Sequence, residues 1–454
     1  MTVTETPPEV SQAETSAPPK PQPKYGLPPG PRMPKSLQSA GFMARSMPML
    51  RRARNKYGSM YSFNVIGFPD FVMISDPALI KQTLTADPTV LHAGTGSPLG
   101  AVLGANSLLA IDEDIHLRQR RLLLPPFHGE RMQSYADVFA EIADAEMDTW
   151  QTGVPMRTLE PMQRITLRAI LRTIFGAHDE SLETLEDLIP RMVNHATKYL
   201  LLRFLHYDLG PRSPWGKFLR MRREIDAQLD ALIAEAKADP KLEERADVLA
   251  LLVQATHEDG TPMSNEEIRD QLLTMMVAGH ETTASTLAWA VERLTRNPAV
   301  LTKLTEEVRR GDREYLDAVF DETLRVRPTV IFAVRSVQKE PYALGEYLLP
   351  VGTRIASPAP LTHDDPRLFK DPELYRPERF LEERPSNYAY IPFGGGVRRC
   401  IGAAFAKMEF AVVMERMLNR FDIDPTTEKF EPWDFRSVTF APGEGGIATF
   451  RERN

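Results

Sequence analysis

The chain has 454 residues, 42% of them hydrophobic and 26% charged, with a formal net charge of −7. That balance suits a globular protein with a sizeable core, and an acidic chain with no basic block is a poor match for nucleic acid. A single cysteine excludes a disulfide framework and suits a reducing cytoplasm.

The N-terminus carries neither a signal-peptide core nor an apolar stretch of about 18 residues, so neither export nor a membrane anchor is expected. Residues 1–24, rich in Pro, Thr, Ser and Glu, are expected to be disordered, and residues 25–454 to form one domain. Met60 to Ile66 and Phe71 to Ile74 read as strands of a hairpin around Gly67-Phe68-Pro69-Asp70. Residues 91–110, with Gly94, Gly96, Gly100 and Gly104, are too irregular for a regular element. Their G-x-G lacks the strand-to-helix setting of a phosphate loop.

In Ile111 to Arg121 acidic residues precede basic ones, as a helix dipole favours, and His116 and Arg120 lie four apart on one face. Taken alone, this pattern is most often a solvated charged face. From Gln133 to Asp239 the chain reads as helices with short polar breaks. Within it, Tyr199-Leu200-Leu201-Leu202-Arg203-Phe204-Leu205 is unusually apolar for a region ending in Gly210-Pro211.

Ser264-Asn265-Glu266-Glu267 is a capping box, and no proline follows until Pro298, which predicts a helix of about 50 Å at about 1.5 Å per residue. His280, Glu281 and Glu292 interrupt its apolar surface, so it does not span a membrane. Ala278-Gly279-His280-Glu281-Thr282-Thr283 sits in mid-helix, where glycine and two threonines are poor choices on propensity. Such a local departure points to function. Ala278 and Gly279 leave room for a ligand against the helix, and a local widening would free the Thr282 hydroxyl. H-E-x-x-H is absent, so zinc is unsupported.

Glu322-Thr323-Leu324-Arg325 places a carboxylate and a guanidinium at i,i+3 on a helix that Arg327-Pro328 ends. An apolar run, Val330 to Val334, precedes Arg335. Near the C-terminus, residues 438–440 and 447–450 are expected to pair as a hairpin around Pro442-Gly443-Glu444-Gly445-Gly446.

The sequence from Tyr390 to Gly402 holds the only cysteine, Cys400. Gly394, Gly395 and Gly396 require a tight loop, and apolar spacing after Ile401 predicts a helix to about Arg420. A cysteine at a helix mouth, beside Arg398 and Arg399, is expected to have a lowered pKa. One thiolate cannot complete a multi-cysteine zinc site or an iron–sulfur cluster, whereas haem iron needs only one.

Phe393, Gly396, Arg398, Cys400 and Gly402 match F-x-x-G-x-R-x-C-x-G, and the chain resembles the cytochrome P-450 family over residues from about 28 to 450. The resemblance implies a mainly α fold with a smaller β region and a long central helix over the haem. Leu27-Pro28-Pro29-Gly30-Pro31 resembles the proline hinge that follows the anchor of membrane-bound members. In the matching A-G-x-[DE]-T-[TS], Thr282 and Glu281 handle dioxygen and its protons. Cys400 is the axial ligand of haem b, supported by Phe393, Arg398 and Gly402, while His116, Arg120 and Arg335 reach the propionates. Ala278, Val330, Ile331 and Val334 face substrate, residues 91–110 roof its pocket, and the apolar run at 199–205 lies near a lid. The tip of the C-terminal hairpin reaches toward substrate. Glu322 and Arg325 join Arg379 of Pro377-Glu378-Arg379-Phe380 to lock the cysteine loop. Arg398 and Ile401 are closer to the membrane-bound branch than to many soluble bacterial members.

The function so implied is a cytoplasmic haem-thiolate monooxygenase of soluble bacterial type. It inserts one oxygen atom from O2 into an apolar small molecule of the fatty acid, steroid or terpene class. Electrons come from a separate ferredoxin or flavodoxin with its reductase, for which Arg118, Arg121, Arg399 and Lys407 are docking candidates. The alternatives are a peroxide-driven peroxygenase or dehydratase on the same fold, a non-enzymatic haem sensor and, more remotely, a cysteine hydrolase.

Overall fold

The computed structural model describes residues 23–453 apart from 128–130, 177–179, 200–205, 246 and 437–438. The helix expected from the capping box runs Asn265–Thr295. Ser264 Oγ accepts from the Glu267 amide at 3.2 Å, and Glu267 Oε2 accepts from the Ser264 amide at 2.8 Å. Beyond its end, Pro298 opens the next helix. This central helix is almost entirely buried, and other helices pack around it.

On one side lies the helix Leu159–Phe175, an inner helix with twelve buried residues. Gly279 sets its distance: a Cβ there would stand 3.3 Å from Ile170 Cδ1. The glycine therefore serves helix packing, and not ligand space as the sequence suggested. On another side are Glu314–Val326 and the cysteine helix Ala403–Arg420. Together these helices bury the largest apolar cluster, including Met162, Ile170, Leu272, Leu287, Phe320 and Phe410.

The main sheet has the order Met60–Phe63, Phe71–Ile74, Arg354–Pro358, Phe332–Val337, Leu91–His92. Its first two strands are the hairpin read from the sequence. Lys24 and Tyr25 pair in parallel with Tyr347 and Leu348. Gly30 lies so close to this sheet that a Cβ would meet Ser62 O at 2.2 Å. Residues 1–22 and the apolar run at 200–205 lie outside the described residues.

The C-terminal pairing differs from expectation. Thr439–Pro442 pairs with Trp433–Arg436, whereas Ile447–Glu452 pairs with Phe421–Ile423 and Pro155–Arg157. The glycine-rich turn between them wraps the buried Glu431 carboxylate, which accepts from the amides of Glu444, Gly446 and Ile447 at 2.9, 3.0 and 2.9 Å. That anchor sends the two strands to different sheets.

Candidate active site

The cysteine loop takes its shape from its glycines. Gly394 and Gly396 have φ of +65° and +63°, in the left-handed region, and a Cβ on Gly396 would stand 1.8 Å from Leu84 O. The loop closes through the Cys400 amide, which donates to Phe393 O at 3.0 Å. Gly402 caps the cysteine helix, so Cys400 sits just before its first turn. Phe393 stacks against Phe320, tying the loop to the helix that carries Glu322 and Arg325.

The lock on this loop is more extensive than the motif implied. Arg325 donates twice to Glu322, at 2.7 and 2.8 Å, and both side chains are fully buried. Arg379 adds a contact to Glu322 at 3.2 Å, and the Arg376 amide another at 2.8 Å. The remaining guanidinium N–H groups reach backbone carbonyls of His363, Lys370, Asp371, Pro372 and Leu374. His363, which sequence reasoning missed, completes the connection. Its Nδ1–H donates to Arg325 O at 3.1 Å, and its Nε2 accepts the Ile391 amide at 3.0 Å, two residues before Phe393. Burial, with the Arg325 charge, pushes this imidazole down to about 3, so it stays neutral.

The thiol does not titrate as expected. Burial pushes the Cys400 thiol up, and the Gly402 amide with Arg120 and Arg399 only partly offsets this. Arg398 turns away from the sulfur and binds Asp112, Leu108 O and Ile111 O. The thiolate is the form that binds a metal ion, so binding one would displace the proton of Cys400. Cys400 is nevertheless accessible, as is Ala278 on the otherwise buried central helix. Both are therefore open to contact with a ligand.

Close to the cysteine loop lie cations without carboxylate partners among the described residues. His116 lies in the helix Glu113–Leu123, 1% exposed, with Nδ1 lacking a partner. Burial, with Arg398, Arg120 and Arg335 nearby, pushes it down to about 3. Arg120 has no hydrogen bond or ion pair among the described residues, and Arg335, pushed down to about 10 by burial, reaches only the carbonyls of Val334 and Gly395. Buried guanidiniums without carboxylates ask for an anion. One donor set, His116, Arg120 and Arg335, with a sulfur beside it, fits a haem with two propionates and an axial thiolate.

Asp112 was also missed. It accepts from the amides of Ala93, Gly94 and Thr95 as well as from Arg398, joining the irregular roof segment to the cysteine loop. Asp270, Gln271 and Thr274 of the central helix hold the same segment through Asn106, Leu108 and Ser107.

Thr282 does not widen the helix, which runs unbroken, but donates to Ala278 O at 2.7 Å. Its lone pairs are then what it offers outward. Glu281 is buried; Gln163 of the inner helix donates to its Oε1 at 2.8 Å, and Oε2 has no partner. Burial pushes this carboxyl above its usual range. Of the expected substrate contacts, Val330 is 37% exposed, whereas Ile331 is buried in a separate cluster with Leu361 and Phe440 against which the half-buried Val334 also packs.

The sequence pattern of the family described as Cytochrome P450 matches residues 26–447. Cytochrome P450 138 of Mycobacterium tuberculosis, a name that specifies no substrate, is 41% identical over 445 residues, covering 98% of this chain and all of that protein. Cytochrome P450 135B1 of the same organism is 40% identical over 428 residues, covering 92% and 90%. Among solved structures, the retinoic acid bound cyanobacterial CYP120A1 superposes with a TM-score of 0.83 at 23% identity, covering 95% of this chain and 100% of that one. The heme domain of cytochrome P450DA gives 0.81 at 24% identity, covering 95% and 99%. With the fold, the lone accessible thiol and the cationic pocket in agreement, the chain belongs to the cytochrome P450 family and is a haem-thiolate monooxygenase with protoporphyrin IX as its cofactor.

Proposed function

We propose that this monooxygenase acts on an apolar small molecule of the fatty acid, steroid or terpene class, using electrons from a separate ferredoxin or flavodoxin and its reductase. The observation that carries the site assignment is the accessible Cys400 sulfur beside cations that lack carboxylate partners. Cys400 would hold the iron, with Phe393, Arg398 and Gly402 shaping the loop behind it. His116, Arg120 and Arg335 would hold the propionates. Bound there, haem supplies the activation of dioxygen and transfer of one oxygen atom to carbon, with thiolate donation favouring O–O cleavage.

The chain's own residues then manage protons and orientation. Because the Thr282 proton is committed to Ala278 O, its oxygen acts toward the cavity as an acceptor. Burial raises the Glu281 carboxyl above its usual range, which favours the protonated acid that a relay needs. The small Ala278 and the apolar Val330 and Val334 favour hydrocarbon over a charged ligand. For the partner, Arg118 and Arg399 are exposed, whereas Arg121 pairs with Glu258 at 3.5 Å and Lys407 with Asp317 at 2.9 Å. Among the described residues no helix is long and apolar enough to cross a membrane. A cytoplasmic place of action belongs to the same proposal, supported by the lone thiol.

Cys400→Ser should abolish the red-shifted Soret band of the reduced carbon monoxide complex, and an unchanged band would remove the ligand assignment. Spectral titration against fatty acids, steroids and terpenes should shift the spectrum with at least one. Shifts with charged ligands alone would overturn the substrate class. Turnover should require a ferredoxin or flavodoxin with reductase, whereas turnover with peroxide only would favour the peroxygenase.

A further inference from the structure

His280 precedes Glu281 in the central helix, and its ring points into the protein core, 1% exposed. The Thr166 hydroxyl of the inner helix stands 3.3 Å from His280 Nδ1, 3.0 Å from His280 O and 3.0 Å from Met162 O. A hydroxyl has one proton, and two carbonyls compete for it, so its lone pairs are what remain for Nδ1. Nδ1 therefore carries the ring hydrogen. The backbone of Gln163 also hydrogen-bonds the ring, in the sense that favours a proton on it. Nε2 is left as a bare lone pair, buried and without a partner.

Oε1 of Glu281 lies 3.6 Å from that lone pair. Burial pushes the imidazole down to about 4 and the Glu281 carboxyl up, with Arg436 and Gln163 opposing the latter. Burial thus works against both charged forms and favours a protonated acid next to a neutral acceptor. The present separation is too long for a hydrogen bond, so the carboxyl must turn to reach the ring. Gly279 helps the inner helix to pack closely, since a Cβ there would stand 3.3 Å from Ile170 Cδ1.

We propose that His280 is a positioning residue for proton handling: its bare Nε2 accepts the carboxyl O–H of Glu281 and parks that proton on the core side of the central helix. Rotation of the carboxyl then carries it toward Thr282. This rests on the monooxygenase reading, which gives Glu281 a proton to deliver. The proton stays on the Glu281 oxygen while parked, no electron moves, and solvent replaces the proton after delivery.

The test uses His280→Leu, which removes the acceptor, and His280→Gln, whose amide oxygen can replace it. The infrared carbonyl band of Glu281, identified by its loss in Glu281→Gln, should shift to higher frequency in His280→Leu and return in His280→Gln. Peroxide released per electron pair should rise several-fold in the leucine variant and be rescued by glutamine. An unmoved carbonyl band overturns the proposal. So does nitrogen NMR of histidine-labelled wild-type protein if it shows hydrogen on Nε2, a measurement that needs no variant to fold. The reduced carbon monoxide spectrum reports the parent reading separately: its loss would sink the thiolate assignment while leaving the infrared answer intact.

Discussion

At the scale of single residues, the site is a set of polar atoms whose partners are incomplete within the protein. Arg335 is the clearest case, a buried guanidinium that reaches only two carbonyls. A buried unpaired cation costs stability by itself, whereas a charge-assisted hydrogen bond contributes about 1.5–3 kcal/mol once its anion arrives. Arg335→Leu should therefore act with opposite signs on two measurements. The haem-free protein should melt at a higher temperature, and haem should dissociate at least about tenfold faster. A drop in both would mean that the arginine is structural. Thr282 yields a second prediction, because its hydroxyl proton is engaged and only its lone pairs face outward. Thr282→Ala removes that acceptor without disturbing a helix whose backbone is already closed. Product per electron pair should fall about tenfold, with peroxide making up the difference. Equal coupling in the two proteins would count against a role for the oxygen.

At the scale of elements, the sequence was informative wherever a local rule was both strict and short-range. The central helix announced itself through Ser264, Glu267 and the absence of proline, and it begins where the capping box placed it. The cysteine loop was legible because three glycines in a row admit few backbone shapes. Gly396 combines a φ of +63° with a Leu84 carbonyl 1.8 Å from where a Cβ would be. Gly396→Ala should cost about 2–4 kcal/mol in denaturant unfolding and leave the purified protein poor in haem, since neither strain nor backbone contact can relax cheaply. What was illegible was long-range. Alternation showed that residues 438–440 and 447–450 are strand-like, yet partners come from contacts that a local pattern does not encode. Glu431, which redirects that turn, looked like any surface acid. The neighbours of Gly279 were equally hidden, since a glycine in a helix looks the same whether it faces a ligand or Ile170. Asp112 and His363 connect segments far apart in sequence, and nothing local sets them apart from ordinary polar residues.

At the scale of the whole molecule, these buried groups make stability depend on pH in two opposing ways. His280, His363 and His116 are held neutral in the fold, at about 4, about 3 and about 3, against an ordinary value of 6.5. Their contribution is complete above pH 6.5 and is lost as pH falls through that window, because the unfolded chain binds protons that the fold refuses. Glu409 runs the other way. It is buried in the cysteine helix with neither oxygen in hydrogen-bond geometry, although the Thr283 hydroxyl is beside it, and burial pushes its carboxyl up to about 8 from 4.5. The fold therefore holds a proton that the unfolded chain releases, so its contribution is complete below pH 4.5 and is lost as pH rises toward 8. Each such group changes stability by about 1.4 kcal/mol per pH unit inside its window. Between pH 6.5 and 4.5 three histidines oppose one carboxyl, and the net loss is about 3 kcal/mol per unit of acidification. Against a total of about 5–15 kcal/mol, that is enough to make acid the more damaging direction. Glu409→Gln removes only the carboxyl. It should stabilise the protein by up to about 4 kcal/mol at pH 8 and by almost nothing at pH 4.5, steepening the acid limb between pH 6.5 and 4.5 by about 1.4 kcal/mol per unit. Urea unfolding at pH 8, 6.5 and 5 measures this directly. A gain that stays constant with pH would mean that Glu409 is already paired in solution.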